Sequence, residues 1–324
     1  MAYAAGGALA AEVSLAGGFG FIGVGSEPVE KVRKELIAVR QLLDLPRDAN
    51  VLPIGVGFLG WILDQKEALS KEELIPLIFE YRVQAIWLSF GTRLGSWIEY
   101  VRSLTQKTGH NIQVFVQVSS LDEAQTAIKE WKADVIVAQG TEAGGHGASQ
   151  GLPLLTLLPL ILSATDPNTR PAILGAGGLA DGTQLAALLT LGASGAVFGT
   201  RFLLAPQSLY TDRQRQVLLA ADASKSIRTM AFDEARGSTG WPAGIDGRGI
   251  RNATVEDYES GLEASLLRDK YAAAAAKGDT DRIIVWSGTG VGSMTRIQPA
   301  KDIVRELHDD CLGRLNDARN LIKA

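Results

Sequence analysis

Short apolar runs alternate with amphipathic stretches from Phe19 to Gly199, and this alternation constrains the fold more than any other feature of the sequence. It is typical of repeated βα units that build a parallel sheet. Seven apolar runs end in glycine or polar residues and are predicted to be buried strands: Phe19–Val24, Val51–Phe58, Val83–Phe90, Asn111–Val118, Asp134–Gln139, Pro171–Ala176 and Gly195–Gly199.

Helical patterns fill the intervals between these runs, so the chain is predicted to be an α/β protein of the (β/α)₈ TIM-barrel class. Its 324 residues exceed the roughly 250 that such a barrel needs. Only Met1–Leu9 and a short helix around Ala10–Ala16 precede the first apolar run, so the first strand is predicted to be truncated. The predicted helices are Pro28–Leu43, Lys71–Tyr81, Trp97–Thr108, Leu121–Trp131, Leu152–Ser163 and Asp181–Leu191.

After Phe202 the pattern changes to longer, Ala-rich helical stretches, predicted over Gln214–Asp222, Glu256–Lys277 and Ala300–Lys323. We therefore expect a barrel domain at 1–204, a helical cap or substrate segment at 205–290, and a C-terminal helix at 291–324 that packs back on the barrel. Apolar cap helices either cover the barrel mouth or pair with a second subunit. The sequence is therefore compatible with both a monomer and a homo-oligomer.

The most loop-like part of this cap contains Trp241–Gly244 and Arg248–Asn252. Loops around a barrel mouth often contact the substrate. Arg248 or Arg251 is therefore expected either to meet an anionic substrate or to lie on a surface loop.

Composition excludes several classes of function. The net charge of −4 and a pI near 5.5 leave no basic surface for nucleic acid. The single cysteine, Cys311, and three histidines away from ligand spacing predict no metal site and disfavour a metal hydrolase. No apolar run is long enough for a membrane span, and the start lacks the charge of a signal peptide, so a cytoplasmic enzyme is expected.

Two glycine-bearing turns predict a phosphate site. The stretch Gly175-Ala176-Gly177-Gly178 closes one strand and leads directly into a helix, where backbone amides can face an anion. The next strand ends in Phe198-Gly199-Thr200-Arg201. Counting the truncated strand as the first, these turns follow strands seven and eight, where barrels of this class commonly bind phosphate.

His146 lies in the glycine-rich stretch QGTEAGGHG, which spans residues 139–147 at the carboxyl end of the predicted strand Asp134–Gln139. Barrel enzymes carry catalytic groups at the carboxyl ends of their strands, and a neutral imidazole there can act as a base. His110 and His308 lie in a helix-to-strand turn and a charged helix, and are interpreted as structural. Glu142 is expected to cap or orient the loop.

Several segments resemble the nitronate monooxygenase (2-nitropropane dioxygenase) family: AGGFGFIGVG, QGTEAGGHG, GAGGLADG, FGTRF and GTGVGSMTRIQPA, in this order and over nearly the whole chain. The resemblance implies a barrel that binds FMN without covalent attachment. It also implies oxidation of small alkyl nitronates, and in some members of nitroalkanes, by molecular oxygen.

The resemblance implies a role for His146 as the base that removes the proton beside a nitro group, with structural hydrogen bonding beside the flavin as the alternative. Motif matching also implies FMN-binding residues: Gln117, Gln139, Gly144 and Gly145 at the flavin, Ala176, Gly177 and Gly178 at its phosphate, and Val197, Phe198, Gly199 and Thr200 in the adjoining phosphate loop.

The chain departs from the family at two places. The family's first strand ends in an Ala-Pro-Met turn against the flavin, of which only Met1 is present, and Gly57 stands where many relatives carry a flavin-contacting asparagine. Two alternatives remain open. One is an FMN-dependent enoyl-acyl-carrier-protein reductase that uses NAD(P)H, and the other is a flavin-binding protein without turnover.

Overall fold

Seven of the apolar runs form one parallel sheet in the computed structural model, which describes residues 1–46 and 51–322. The strands pair in chain order and curl into an open barrel, so the seven predicted strands and the α/β barrel class are confirmed. The sheet contains β1 (Phe21–Val24), β2 (Leu52–Leu59), β3 (Val83–Ser89), β4 (Gln113–Val118), β5 (Val135–Gln139), β7 (Ala172–Ala176) and β8 (Gly195–Val197).

A second, antiparallel sheet of three short strands was not predicted. It consists of β6 (Gly145–Ala148), β10 (Ile245–Ile250) and β9 (Ser226–Thr229), in that spatial order. The strand β6 follows β5 directly, whereas β9 and β10 belong to the segment expected to be helical. This small sheet therefore ties the segment after the barrel to the loop that carries His146.

Helices flank the sheet and make up most of the later part of the chain. The six helices predicted between the strands are all present, and Ser70–Leu74 is a π-helical stretch that leads into α5. The helices are α1 (Gly7–Leu15), α2 (Val29–Leu42), α3 (Gly60–Gln65), α4 (Glu67–Leu69), α5 (Ile75–Glu80), α6 (Leu94–Thr108), α7 (Leu121–Lys129), α8 (Leu154–Ser163), α9 (Gly182–Leu191), α10 (Thr200–Leu203), α11 (Asp212–Ala220), α12 (Ala231–Arg236), α13 (Ala253–Glu259), α14 (Ala264–Lys277) and α15 (Ala300–Ile322).

Two helix predictions in the later part need adjustment. The stretch predicted as one helix over Glu256–Lys277 is divided between α13 and α14, because Gly261 adopts a left-handed φ of 80° between them. The last predicted helix corresponds to α15, and its predicted final residue, Lys323, lies outside the described residues. The division into 1–204, 205–290 and 291–324 remains a prediction.

The main core lies between the sheet and its helices. In α2 the buried residues Val29, Val32, Leu36 and Val39 recur every three or four positions, which places them on one face of the helix. The interior of the barrel is filled mainly by aromatic rings, including Phe21, whose ring lies 5.2 Å from Phe115 and 5.3 Å from Trp87.

The barrel is open between β1 and β8, because within the described residues no strand precedes β1 or joins it to β8. The N-terminal residues lie beside this seam. The amide of Gly23 donates to the carbonyl of Ala5, and a Cβ added at Gly23 would lie 2.5 Å from the carbonyl carbon of Met1. Irregular backbone of the N-terminal residues therefore lies along this side of β1.

Helices α1 and α15 complete the closure of this seam. Leu9 of α1 joins Ile303 and Leu307 of α15, together with Phe202, in one buried apolar cluster. Helix α15 also packs along α9. In the described part of the chain, no helix combines the length and apolar character that a bilayer span requires.

Candidate active site

A cavity of about 890 Å³ opens at the carboxyl ends of the barrel strands. This is the end of the barrel where enzymes of this class place their reacting groups. All twelve residues proposed from the sequence for catalysis or cofactor binding line this cavity: Gln117, Gln139, Gly144, Gly145, His146, Ala176, Gly177, Gly178, Val197, Phe198, Gly199 and Thr200. The structure therefore brings together motifs that are up to 83 residues apart in sequence (117 to 200), and their individual roles stay predictions.

Two glutamines form a polar pair on the cavity wall. Gln117 Nε2 donates to Gln139 Oε1 at 2.9 Å, and Gln139 Nε2 donates to the carbonyl of His146 at 3.3 Å. This chain of bonds joins β4, the end of β5 and the start of β6. It fixes the orientation of both amides and supports the backbone of the loop that carries the histidine.

The turn after β7 offers a group of free backbone amides. Gly177 and Gly178 have left-handed φ values of 117° and 70°, which favour glycine. The amides of Gly177, Gly178 and Leu179 donate no hydrogen bond to any described residue. Successive unpaired amides of this kind form a concave site that favours an anion.

The turn after β8 adds further donors beside the first group. The amides of Gly199 and Thr200 are also without acceptors among the described residues. The Thr200 hydroxyl oxygen accepts from the amide of Gly288 at 2.9 Å, so its hydrogen remains available for a ligand.

Glycines of the late segment GTGVG join these two turns. A Cβ added at Gly288 would lie 2.9 Å from the carbonyl oxygen of Glu142, and one added at Gly290 would lie 2.3 Å from that of Gly178. Both values are too short for a side chain. The close approach of these backbones therefore requires glycine, and it holds both amide-bearing turns against the loop after β5.

Three amides around the start of α9 are bonded within the protein, and anion binding at this helix N-terminus remains a prediction. Asp181 caps the helix by accepting from the amide of Gln184, and the Gln184 side chain accepts from the amides of Ala180 and Asp181. These donors are already satisfied. The free amides belong to the glycine turn that precedes the helix.

His146 lies on β6 and is held by residues from the segment after the barrel. Its Nε2 lies 3.0 Å from both carboxylate oxygens of Asp233, a fully buried residue of α12. The Trp241 ring stacks on the imidazole with centroids 3.5 Å apart and an interplanar angle of 11°, and the Trp286 ring approaches at 4.9 Å. The imidazole therefore has a fixed plane and one fixed nitrogen.

Burial sets the protonation state of this histidine. Desolvation lowers the pKa of His146 below its ordinary value of 6.5, and the positive charges of Arg236 and Arg228 act in the same direction, whereas the hydrogen bond to Asp233 opposes the shift. Because the net direction is downward, the imidazole is neutral at neutral pH. A neutral imidazole is able to accept a proton.

The two cap arginines singled out from the sequence do not line the cavity. Arg248 donates to the carbonyls of Thr141 and Ser226, and Arg251 forms an ion pair with Glu259. Arg236, in contrast, is exposed at the cavity rim, and its guanidinium makes no hydrogen bond or ion pair within the described residues. The available guanidinium is therefore one that sequence analysis missed.

Glu142 makes the contacts expected of a residue that caps or orients the loop. Both of its carboxylate oxygens accept from the amide of Leu154 at 3.0 Å, at the first residue of α8. It therefore caps α8 and anchors the loop between β5 and β6.

Sequence analysis also missed Asp233 as a partner of His146. The two residues are 87 positions apart, and Asp233 lies in a short charged helix with no motif around it. Trp241 was noted only as part of a loop. The two are brought to the histidine by the antiparallel pairing of β6 with β10, which sequence analysis did not predict.

Comparison with known proteins gives a consistent result. A family model described as nitronate monooxygenase matches residues 1–310. A nitronate monooxygenase from Neurospora crassa is 33% identical over 332 residues, covering 96% of this chain and 87% of that protein. A nitronate monooxygenase from Pseudomonas aeruginosa is 30% identical over 338 residues, with coverage of 94% and 93%.

Solved structures support the fold. FabK from Thermotoga maritima superposes with a TM-score of 0.78 at 24% identity, covering 99% of this chain and 93% of that one. A nitroalkane oxidase from Streptomyces ansochromogenes gives a TM-score of 0.76 at 24% identity, with coverage of 97% and 94%. The sequence relatives and the family match confirm the resemblance seen in the motifs: the chain belongs to the nitronate monooxygenase family and is an oxidoreductase.

Proposed function

We propose that this protein uses FMN to oxidise alkyl nitronates with molecular oxygen, and that it also accepts nitroalkanes after His146 removes their acidic proton. The observation that carries the proposal is that one cavity holds both a cradle of free amides and a buried neutral imidazole. The first suits a phosphate and the second suits proton removal next to a nitro group. Membership in the family supports nitronates as the substrate class.

The residues present fit FMN. The cavity of about 890 Å³ falls within the roughly 300–1,000 Å³ typical of small-molecule sites. The amides of Gly177, Gly178, Gly199 and Thr200 would hold the phosphate, since they lack other acceptors. The Gln117–Gln139 pair would face the polar edge of the ring system. When bound, FMN supplies the electron transfer that no side chain can perform.

His146 supplies the proton chemistry in this proposal. A nitro group acidifies the adjacent carbon, and the imidazole lone pair accepts the proton from that carbon, leaving the nitronate anion and an imidazolium. The low pKa of His146, caused mainly by burial, keeps the lone pair available at neutral pH. A nitronate supplied as such requires no proton removal, so the two substrate types make different demands on His146.

The aromatic enclosure limits water and fixes the substrate. The Trp61 ring packs at a tilt of 57° against Trp241, with centroids 5.3 Å apart, and the edge of Phe90 approaches the same ring at 5.5 Å. A continuous apolar wall therefore extends from the histidine across the mouth. Small alkyl groups fit such a wall. Arg236 at the rim would attract an anionic nitronate through its unpaired charge.

An absorbance spectrum followed by oxygen uptake tests the proposal. We expect the purified protein, as isolated or after addition of FMN, to show flavin bands and to consume oxygen when an alkyl nitronate is added. NADH or NADPH without nitronate serves as the control. Rapid loss of the flavin absorbance on adding either nucleotide would favour the enoyl-acyl-carrier-protein reductase alternative. A flavin-loaded protein that consumes no oxygen with nitronates would refute the proposed function.

A further inference from the structure

We infer that Asp233 is a positioning residue that fixes His146 in the tautomer protonated at Nε2, so that Nδ1 carries the lone pair used as the base. The inference deepens the proposed function and rests on it for its catalytic meaning. Its structural part, the tautomer, is independent of any activity. Asp233 itself lines no part of the cavity and acts through the imidazole.

The geometry of the pair is the first argument. Both carboxylate oxygens of Asp233 lie 3.0 Å from His146 Nε2, within hydrogen-bonding distance. A carboxylate only accepts hydrogen bonds, so the nitrogen facing it has to carry the proton. Nδ1 makes no hydrogen bond within the described residues, and His146 lines the cavity. The free lone pair is therefore the one available to a bound substrate.

Burial of the carboxylate makes this arrangement strong. Asp233 is 0% exposed, and its Oδ1 also accepts from Ser238 Oγ at 2.8 Å and from Trp241 Nε1 at 3.2 Å. A buried acceptor left without one of its donors costs stability, so each donor is held firmly. The carboxylate cannot turn away from the imidazole without breaking the bonds to Ser238 and Trp241.

Packing fixes the imidazole plane in the same way. Trp241 covers one face of the ring, and the Trp286 ring lies at 61° to it. A Cβ added at Gly247 would lie 3.5 Å from His146 Nε2 and 2.4 Å from Trp286. The site therefore needs glycine opposite the histidine, and there is little space in which the ring could reorient.

The other charged and titratable groups around the pair come from three elements. Arg236 lies on α12 with Asp233, Arg228 lies on β9, and Tyr271 lies on α14. Both arginines disfavour the imidazolium, and burial raises the pKa of Tyr271, so it stays neutral. Asp233 is thus the group that supports a positive charge on His146 when the ring takes up a proton.

Nitrogen NMR of the FMN-loaded protein tests the tautomer directly. The chain contains three histidines, so ¹⁵N-labelled protein gives three ring patterns, and His146→Gln identifies the one of interest. We expect the Nε2-protonated form in the unaltered protein and loss of that preference in Asp233→Asn, whose amide can also donate. If His146 of the unaltered protein is protonated at Nδ1 before substrate is added, the inference is overturned by that spectrum alone.

Kinetics separate positioning from a structural role. Replacing the carboxylate of a Ser–His–Asp triad by an amide lowers kcat about 10⁴-fold. By analogy we expect Asp233→Asn to lower turnover of a neutral nitroalkane by about 10²- to 10⁴-fold and to move the rising limb of its pH profile to lower pH. Turnover of preformed nitronate should fall much less.

Two further variants complete the design. Asp257→Asn makes the same carboxylate-to-amide change at an ion pair with Arg282 outside the cavity, and should retain the Nε2-protonated tautomer and the pH limb. In a His146→Gln background, Asp233→Asn should have no further effect on nitroalkane turnover, because it acts through the imidazole. Equal losses on both substrates with an unchanged tautomer would assign Asp233 a structural role only. Absence of nitronate oxidation by the unaltered protein would instead refute the proposed function, and the NMR result would still stand.

Discussion

The replacement of His146 by glutamine gives the sharpest kinetic prediction. Glutamine approximates the length of the imidazole and retains hydrogen-bonding atoms between Trp241 and Trp286, but it has no basic nitrogen. Because burial lowers the pKa of His146 below 6.5, the neutral imidazole predominates at neutral pH in the unaltered protein. The substitution therefore removes a base that is available at that pH.

The structure sets the size of the effect for each substrate type. Loss of a positioned base costs about 10²- to 10⁴-fold in the proton-removal step, or about 2.7–5.4 kcal/mol. A nitronate needs no proton removal and loses at most one hydrogen bond from the ring, worth about 0.5–1.5 kcal/mol or a 2- to 13-fold effect. The ratio of kcat/KM for nitroalkane to that for nitronate should therefore fall by about 10- to 5,000-fold.

The assay is oxygen uptake with nitroethane and with ethyl nitronate, at matched flavin content. His110→Gln serves as the control, since His110 is a buried histidine that hydrogen-bonds the carbonyl of Val83 outside the cavity. It should alter stability and leave the substrate ratio unchanged. If His146→Gln lowers kcat/KM equally for both substrates, the assignment of His146 as the base is refuted.

Three other outcomes are expected. Gly178→Ala should weaken FMN binding at least tenfold in a fluorescence titration, because its φ is 70° and its Cβ would lie 2.9 Å from a Glu142 carbon. Gly109→Ala is the matched control, because Gly109 has a φ of 67° and no atom lies within 4 Å of its added Cβ. It should lower the free energy of unfolding by about 1–2 kcal/mol through the same backbone strain as Gly178→Ala, and leave FMN affinity unchanged. Because the pKa of His146 is lower in the folded state than its ordinary 6.5, its neutral form contributes stability above that pH, and this contribution is lost as the pH falls through the folded value. The melting temperature of the unaltered protein should therefore drop more steeply below pH 6.5 than that of His146→Gln, and parallel curves would contradict the shift. Arg236→Ala should raise the KM for an anionic nitronate several-fold and reduce the salt dependence of that KM, while the KM for a neutral nitroalkane stays the same. An equal rise in KM for both substrates would argue against charge attraction.

The barrel half of the site was predictable because each of its motifs adjoins a buried strand. Once the strands are placed in a parallel sheet, the glycine turns after β7 and β8 and the loop carrying His146 necessarily meet at one end. The count of seven strands followed from the same alternation of apolar runs. Local sequence was therefore sufficient to predict that the glycine turns and His146 lie together.

The other half of the site depends on contacts that local sequence does not encode. Strands β6 and β10, with sequences GHGA and IDGRGI, contain glycines and few β-branched residues, so strand propensity there is weak. Their pairing is supported by Arg228, which bonds Asp246 and the carbonyls of Gly147 and Thr141. Asp233 and Trp241 reach the histidine only through this tertiary arrangement.

The open seam between β1 and β8 has a consequence for the order of folding. Its cover joins Leu9 of α1 to Ile303 and Leu307 of α15, residues almost 300 positions apart. Contacts over such separations form late, since closing the intervening loop is entropically costly. During synthesis, Leu9 of α1 and Phe202 therefore lack their α15 partners until that helix has left the ribosome. This edge of the barrel is where a nascent chain would most need a chaperone, and where truncation of α15 would first expose the protein to aggregation.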